Sequence, residues 1–174
     1  MAGTERDKQR KLLQVAFSDL GQAKAEVQQD PSLLHTRDGV GETAFHYAVV
    51  ENRLDVANAL LEWGSEINTS DHSGATPLMH AVELGYLEMV TWLVQNGANI
   101  DLKDESGETA LSKATRNDRE AIFNLLVSLP KRHEIDFYYD DLSAQLAFDN
   151  PSLVMRAQLL ELGLSKRFDN PRDN

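Results

Sequence analysis

Thr43, Thr76 and Thr109 stand 33 residues apart, and much of the chain keeps step with them. Gly41, Gly74 and Gly107 recur at that interval, as do Ala48, Ala81 and Ala114, while Gly64 pairs with Gly97 and Ile67 with Ile100. A fixed period of this length, held in one register by residues of different chemistry, restricts the chain to a stack of similar units. Each unit has room for two short helices and a turn, which cannot bury their apolar faces alone. Neighbours must cover them, so terminal units should be atypical. The fold class expected is all-α: a solenoid of about five helix-turn-helix units over residues 5–37, 38–70, 71–103, 104–136 and 137–169 of one 1–174 domain.

Within the first full unit, Thr43 is placed to cap the helix Ala44–Val50, offering its hydroxyl to amides of the first turn that have no partner. Leu54, Val56, Ala57, Leu60 and Leu61 form a helical stripe over 54–63, which Gly64 ends. The second unit repeats this with Pro77 at the first helical position, where its missing amide costs nothing. In the third, Ile122, Phe123, Leu126 and Val127 fill the apolar slots. Running the grid backwards places Asp19 where Asn52, Gly85 and Asp118 fall, and all four residue types tolerate a left-handed backbone. Residues 1–9 are expected to fray. A second helix through Ala23, Ala25 and Val27 should stop before Pro31. Running the grid forwards, Gly163 lies three periods after Gly64, which makes 137–169 a degenerate last unit.

The pattern Gly-x-Thr-Ala/Pro-Leu/Phe-x-x-Ala, followed by a helix ending Leu-Leu/Val-x-x-Gly-x-x-Ile, resembles the ankyrin repeat. The resemblance is strong over 38–130 and covers nearly the whole chain in weakened form. Its Pro appears only as Pro77 and its His only as His46, and the last unit lacks the Gly and Thr of the turn. The resemblance implies a curved stack whose turns project as hairpin-like fingers, with fingers and first helices forming a concave face that binds other proteins. It implies no common catalytic residues.

Charge narrows the partners. Asp and Glu number 28 against 17 Lys and Arg, a net charge of -11, which disfavours nucleic acid and anionic membrane surfaces. There is no cysteine, so neither disulfides nor thiolate chemistry are available. The first residues lack the apolar core of a signal peptide, and no run is apolar enough to span a bilayer. A cytoplasmic monomer is expected.

The positions that the repeat does not need are the candidates for binding. They are Val40, Glu42, Val50, Glu51 and Trp63 in the first full unit, and His72, Ala75, Glu83, Leu84 and Lys103 in the second. The third unit offers Glu105, Glu108 and Arg116, and the last Tyr138 and Tyr139. Trp63 precedes the helix-ending glycine, where it is either a contact anchor or a lid on the adjoining unit. Trp92 belongs to a helix stripe and should be core. Phe137 is expected to seal the stack, and Tyr138 to meet a basic segment of the partner.

Asp38, Asp71 and Asp104 each open a finger and read as turn acceptors. No two of His35, His46, His72, His80 and His133 have the short spacing that puts two imidazoles on one helical face, so no metal or cofactor is expected. Glu108 and the pairs Asp104-Glu105 and Asp140-Asp141 are expected on solvated turns, without the burial that acid–base catalysis requires. The function expected is therefore a non-catalytic adaptor that binds another protein. The alternative is an inhibitor or stabilising regulatory subunit of one enzyme, and a hydrolase using the acidic last finger is the remote third reading.

Overall fold

The computed structural model describes residues 5–129. Over them the chain is entirely helical, and its helices come in pairs: α1 (Glu5–Ser18) with α2 (Leu20–Gln29), α3 (Ala44–Val50) with α4 (Leu54–Glu62), α5 (Pro77–Leu84) with α6 (Leu87–Gln95), and α7 (Ala110–Arg116) with α8 (Glu120–Ser128). A short 3₁₀ segment, Pro31–His35, follows α2. The first helices form a row in which α3 packs on α5 and α5 on α7, and α6 packs on α8 behind them. Residues 137–169, with Phe137, Tyr138, Tyr139 and Asp140-Asp141, lie outside the described residues, as does His133.

A continuous apolar core explains the stacking. Phe45, Ala48 and Val49 of α3, Val56, Ala57 and Leu60 of α4, Leu78, Ala81 and Val82 of α5, and Met89, Val90 and Leu93 of α6 are all 0–1% exposed. Val56, Ala57 and Leu60 come from the stripe that periodicity assigns to burial, whose other members Leu54 and Leu61 are partly buried, and a fully buried aliphatic or aromatic side chain contributes roughly 1.5–3 kcal/mol. Trp92 is only partly buried, leaning on that core with its ring 6.4 Å from Phe45.

Most helix ends follow the sequence; at α3 the Thr43 hydroxyl lies 3.1 Å from His46 Nδ1. Thr76 Oγ1 accepts from Met79 N–H, and Thr109 Oγ1 from Ser112 N–H at 3.2 Å. Asn52, Gly85 and Asp118 adopt positive φ of 52°, 80° and 54°. Asp19 does not. Its φ is -149°, and its carboxylate caps α2 by accepting from Gln22 N–H at 3.0 Å. The carboxylate gives a tight junction a second solution: an extended residue that starts the next helix in place of a left-handed one that ends the last. Nor do residues 5–9 fray. Gln9 is 2% exposed and donates to the Glu42 carbonyl, which anchors α1 to the next unit.

The fingers are held on both sides. Successive fingers exchange backbone hydrogen bonds, His72 N–H to Val40 C=O and Glu105 N–H to Ser73 C=O, both 2.9 Å. At the root, the Arg37 guanidinium donates to the carbonyls of Gly41 and Ser70 and, at 2.8 Å, to Thr69 Oγ1, joining one finger to the next.

Candidate functional site

The face built from fingers and first helices carries a repeated polar device. Asp38 Oδ1 accepts the amides of Val40 and Glu42 at 2.9 Å each, and its Oδ2 takes the Tyr47 hydroxyl at 2.9 Å. Asp71 Oδ1 accepts the amides of Ser73 and Ala75 at 2.7 and 3.0 Å, and its Oδ2 lies 3.0 Å from His80 Nε2. Asp104 Oδ1 accepts the amides of Ser106 and Glu108 at 2.9 Å each, and its Oδ2 lies 2.8 Å from Lys113 Nζ. One oxygen therefore closes the finger and the other fixes it to the first helix, nine residues on. Burial alone would raise these carboxyls. Hydrogen bonds to the ionised form, from Tyr47 and amides at Asp38, from Ser73 and His80 at Asp71 and from Lys113 at Asp104, outweigh it and hold all three below the usual 3.8.

The partner of each aspartate changes with the unit, and so does what gathers around it. At His80 the nearest second carboxylate comes from the preceding finger: Glu42 Oε1 is 3.8 Å from Nε2. Burial, with Asp38 and Asp71 adding, pushes the Glu42 carboxyl up against the opposing effect of His80. Behind them His46 is fully buried, with its Nδ1 accepting the Thr43 amide at 3.1 Å. Burial pushes this imidazole down to about 4, and the neighbouring His80 acts in the same direction. The two rings meet edge to face, 5.8 Å apart. Two imidazoles that within-helix spacing kept apart are thus brought together across units.

At Lys113 the surroundings are richer. Its Nζ lies 2.8 Å from Glu83 as well as Asp104, and 3.5 Å from Glu108, while Arg116 reaches Glu83 at 3.0 Å and Glu108 at 3.1 Å. Glu108 is 8% exposed, so the expectation that it sits on a solvated turn is wrong. Its side chain faces the Lys113 and Arg116 side chains, which supply the charge that makes its burial tolerable. Ala75, expected among the variable surface positions, is 5% exposed.

The other positions singled out for binding divide clearly. Val40 is 57% exposed and Leu84 43%, and Glu51, His72, Lys103 and Glu105 are exposed as well. Glu42, Val50 and Glu83 are half-buried, and Glu83 and Arg116 are engaged with each other. Trp63 is the C-cap residue of α4 and is partly buried against the core. Tyr138 and Tyr139 lie outside the described residues. Tyr47, His80 and Lys113 do not stand out as a set from spacing within a helix, although each is a hydrogen-bond donor nine residues after a finger aspartate and 33 from the next. Nor does spacing reveal an open groove of about 640 Å³ between α1 and α3, lined by Leu13, Phe17, Tyr47, Glu51 and Arg53 among others.

Among the described residues no helix is long and apolar enough to cross a membrane. No curated protein matches the chain. A family model for ankyrin repeats (3 copies) matches residues 64–139, and one for a single ankyrin repeat matches residues 40–69. The matched spans overlap the helix pairs, caps and fingers described above, and the chain belongs to the ankyrin-repeat family.

Proposed function

We propose that this chain is a non-catalytic adaptor that binds a protein partner along its fingers and the inner ends of its first helices. Ankyrin repeats are generally protein-interaction modules, and generally not catalytic. The observation that carries the reading is the finger edge. The tips bearing Val40, His72 and Glu105 are joined by the backbone hydrogen bonds between neighbouring fingers, so exposed side chains stand at fixed spacing. A surface that needs no reordering loses little entropy on binding. Val40 and Leu84 offer apolar contact, and Glu51 and Glu105 favour a basic segment in a chain of net charge -11.

The adaptor reading takes residues 1–174 as one domain acting as a monomer, with 137–169 as the last unit and Tyr138 and Tyr139 extending the binding edge. Trp63, Val50, Lys103 and Arg116 would border that edge. The lack of cysteine suits a reducing compartment, in keeping with a cytoplasmic protein.

The test is affinity purification from the native host with the parent and a Val40→Asp, Leu84→Asp double variant, quantified by mass spectrometry. The variant should keep its helical circular dichroism and lose captured partner by about tenfold, the loss of roughly 1.4 kcal/mol. Equal capture by both proteins would remove this edge as the binding surface.

A further inference from the structure

We propose that Glu42, Asp71 and His80 form a zinc-binding site that clamps the first full unit to the second. The three donor atoms come from two successive units: Glu42 from the finger before α3, Asp71 from the finger before α5, and His80 from α5 itself. Nε2 of His80 lies 3.0 Å from Asp71 Oδ2 and 3.8 Å from Glu42 Oε1, and all three donors fall within 4.8 Å of one another. A tetrahedral zinc ion bonded at about 2.0–2.1 Å requires donors roughly 3.3 Å apart. The two separations from His80, 3.0 and 3.8 Å, bracket this value, and side-chain rotation has to close the remainder.

Shielding and support are also present. The side chains of Glu42, Asp71 and His80 are 16%, 9% and 19% exposed, so the site is largely screened yet reachable from solvent, leaving a fourth position for water. Asp71 is oriented from behind, because its Oδ1 is fixed by the amides of Ser73 and Ala75 while Oδ2 faces the cluster. Such outer contacts fix the direction of a metal-binding carboxylate.

The repeat supplies its own comparison. One unit on, Asp104, Glu83 and Glu108 surround the Lys113 ammonium at 2.8, 2.8 and 3.5 Å, so three carboxylates there enclose a cation that belongs to the chain. At the preceding interface Asp71 and Glu42 converge in the same way, with Asp38 adding negative charge, but the place of Lys113 is taken by His80. Lysine can only fill such a slot with its own charge, whereas imidazole carries a lone pair. An imidazole with two carboxylates makes a mixed nitrogen and oxygen ligand set that suits zinc. The ion takes the place of the hydrogen between His80 Nε2 and Asp71, and the neutral imidazole then carries its proton on Nδ1.

The experiment is calorimetric titration of the EDTA-treated full chain with zinc chloride, alongside thermal unfolding with and without zinc. The parent should bind one ion and melt at a higher temperature when zinc is present. Glu42→Gln and His80→Gln should each raise the zinc Kd at least about tenfold and abolish the melting shift, with His35→Ala binding as the parent does. Circular dichroism identifies a variant that has failed to fold, and the other variant then decides. The absence of any binding heat, or equal affinity in the parent and in the folded Glu42 and His80 variants, overturns the site.

Discussion

Lys113 Nζ lies 2.8 Å from Asp104 Oδ2, and both side chains are only 6% exposed. The pair fixes the third finger to α7 as Tyr47 fixes the first and His80 the second, but here the donor carries a full charge. Removing one member of a buried ionic cluster costs more than the intact cluster contributes, because the remaining charges lose their compensation. Lys113→Met fills the same space, removes the ammonium from Asp104 and leaves Glu83 and Glu108 with Arg116. Urea unfolding should show a loss of about 3 kcal/mol at pH 7. A loss below about 0.5 kcal/mol would mean that the pair counts no more than an exposed one.

His46 should govern stability in mildly acidic solution. Its folded value is about 4, chiefly because of burial, against an ordinary 6.5. Between those values the unfolded chain holds a proton that the folded chain does not, so stability rises with pH across this window. The contribution is complete above pH 6.5 and falls away as pH drops toward 4, by at most about 3 kcal/mol. Unfolding free energies measured at pH 7, 5.5 and 4.5 should decline in the parent and run flatter in His46→Gln. Parallel declines in the two proteins would assign the pH dependence to other groups.

Helix positions and most caps were legible because one period fixes them all: Thr43, Thr76 and Thr109 cannot be shifted without shifting every stripe. Asp19 misled because the grid registers a slot and not which of two neighbouring helices the slot serves. A carboxylate suits both the end of one helix and the start of the next. Glu108 misled because a turn position reads as solvated until its partners are known, and Lys113 and Arg116 reach it from α7. The Glu42–His80 contact was invisible for a related reason. The two residues are 38 positions apart, and no rule about spacing within a helix connects them. Periodicity thus specifies the backbone stack, while contacts between non-equivalent positions of adjacent units depend on how the units pack.

Two glycines separate backbone strain from crowding. Gly74 has φ +78°, and a Cβ there would come within 2.8 Å of Glu105 N and 3.0 Å of Asp104 Cα, where two fingers touch. Gly97 has φ +94° with nothing within 4 Å of the same atom. Gly97→Ala should cost only the left-handed penalty, about 1–2 kcal/mol. Gly74→Ala adds a backbone clash and should cost about 1–3 kcal/mol more. Equal losses in chemical denaturation would mean that neighbouring fingers part without penalty, and that the finger edge is less rigid than its hydrogen bonds imply.

Glu42 gives a prediction whose sign depends on zinc. Its carboxyl is raised above the ordinary 4.5, chiefly by burial, with Asp38 and Asp71 adding and His80 opposing. Above pH 4.5 the folded chain therefore ionises this group less readily than the unfolded chain, and stability is lost as pH rises through the folded value. Glu42→Gln removes that loss. In EDTA at pH 7 the variant should be more stable than the parent by about 0.5 kcal/mol, a small figure because the group is partly open to screening solvent. Below pH 4 the difference should vanish, since the parent is then protonated as well. In saturating zinc the order should reverse, because a ligand bound only to the folded parent adds RT ln(1 + [L]/Kd) to its stability. A crossing of the two stability curves on adding zinc identifies Glu42 as a ligand. A parent more stable than Glu42→Gln in EDTA would instead mean that its contact with His80 outweighs the cost of burying its charge.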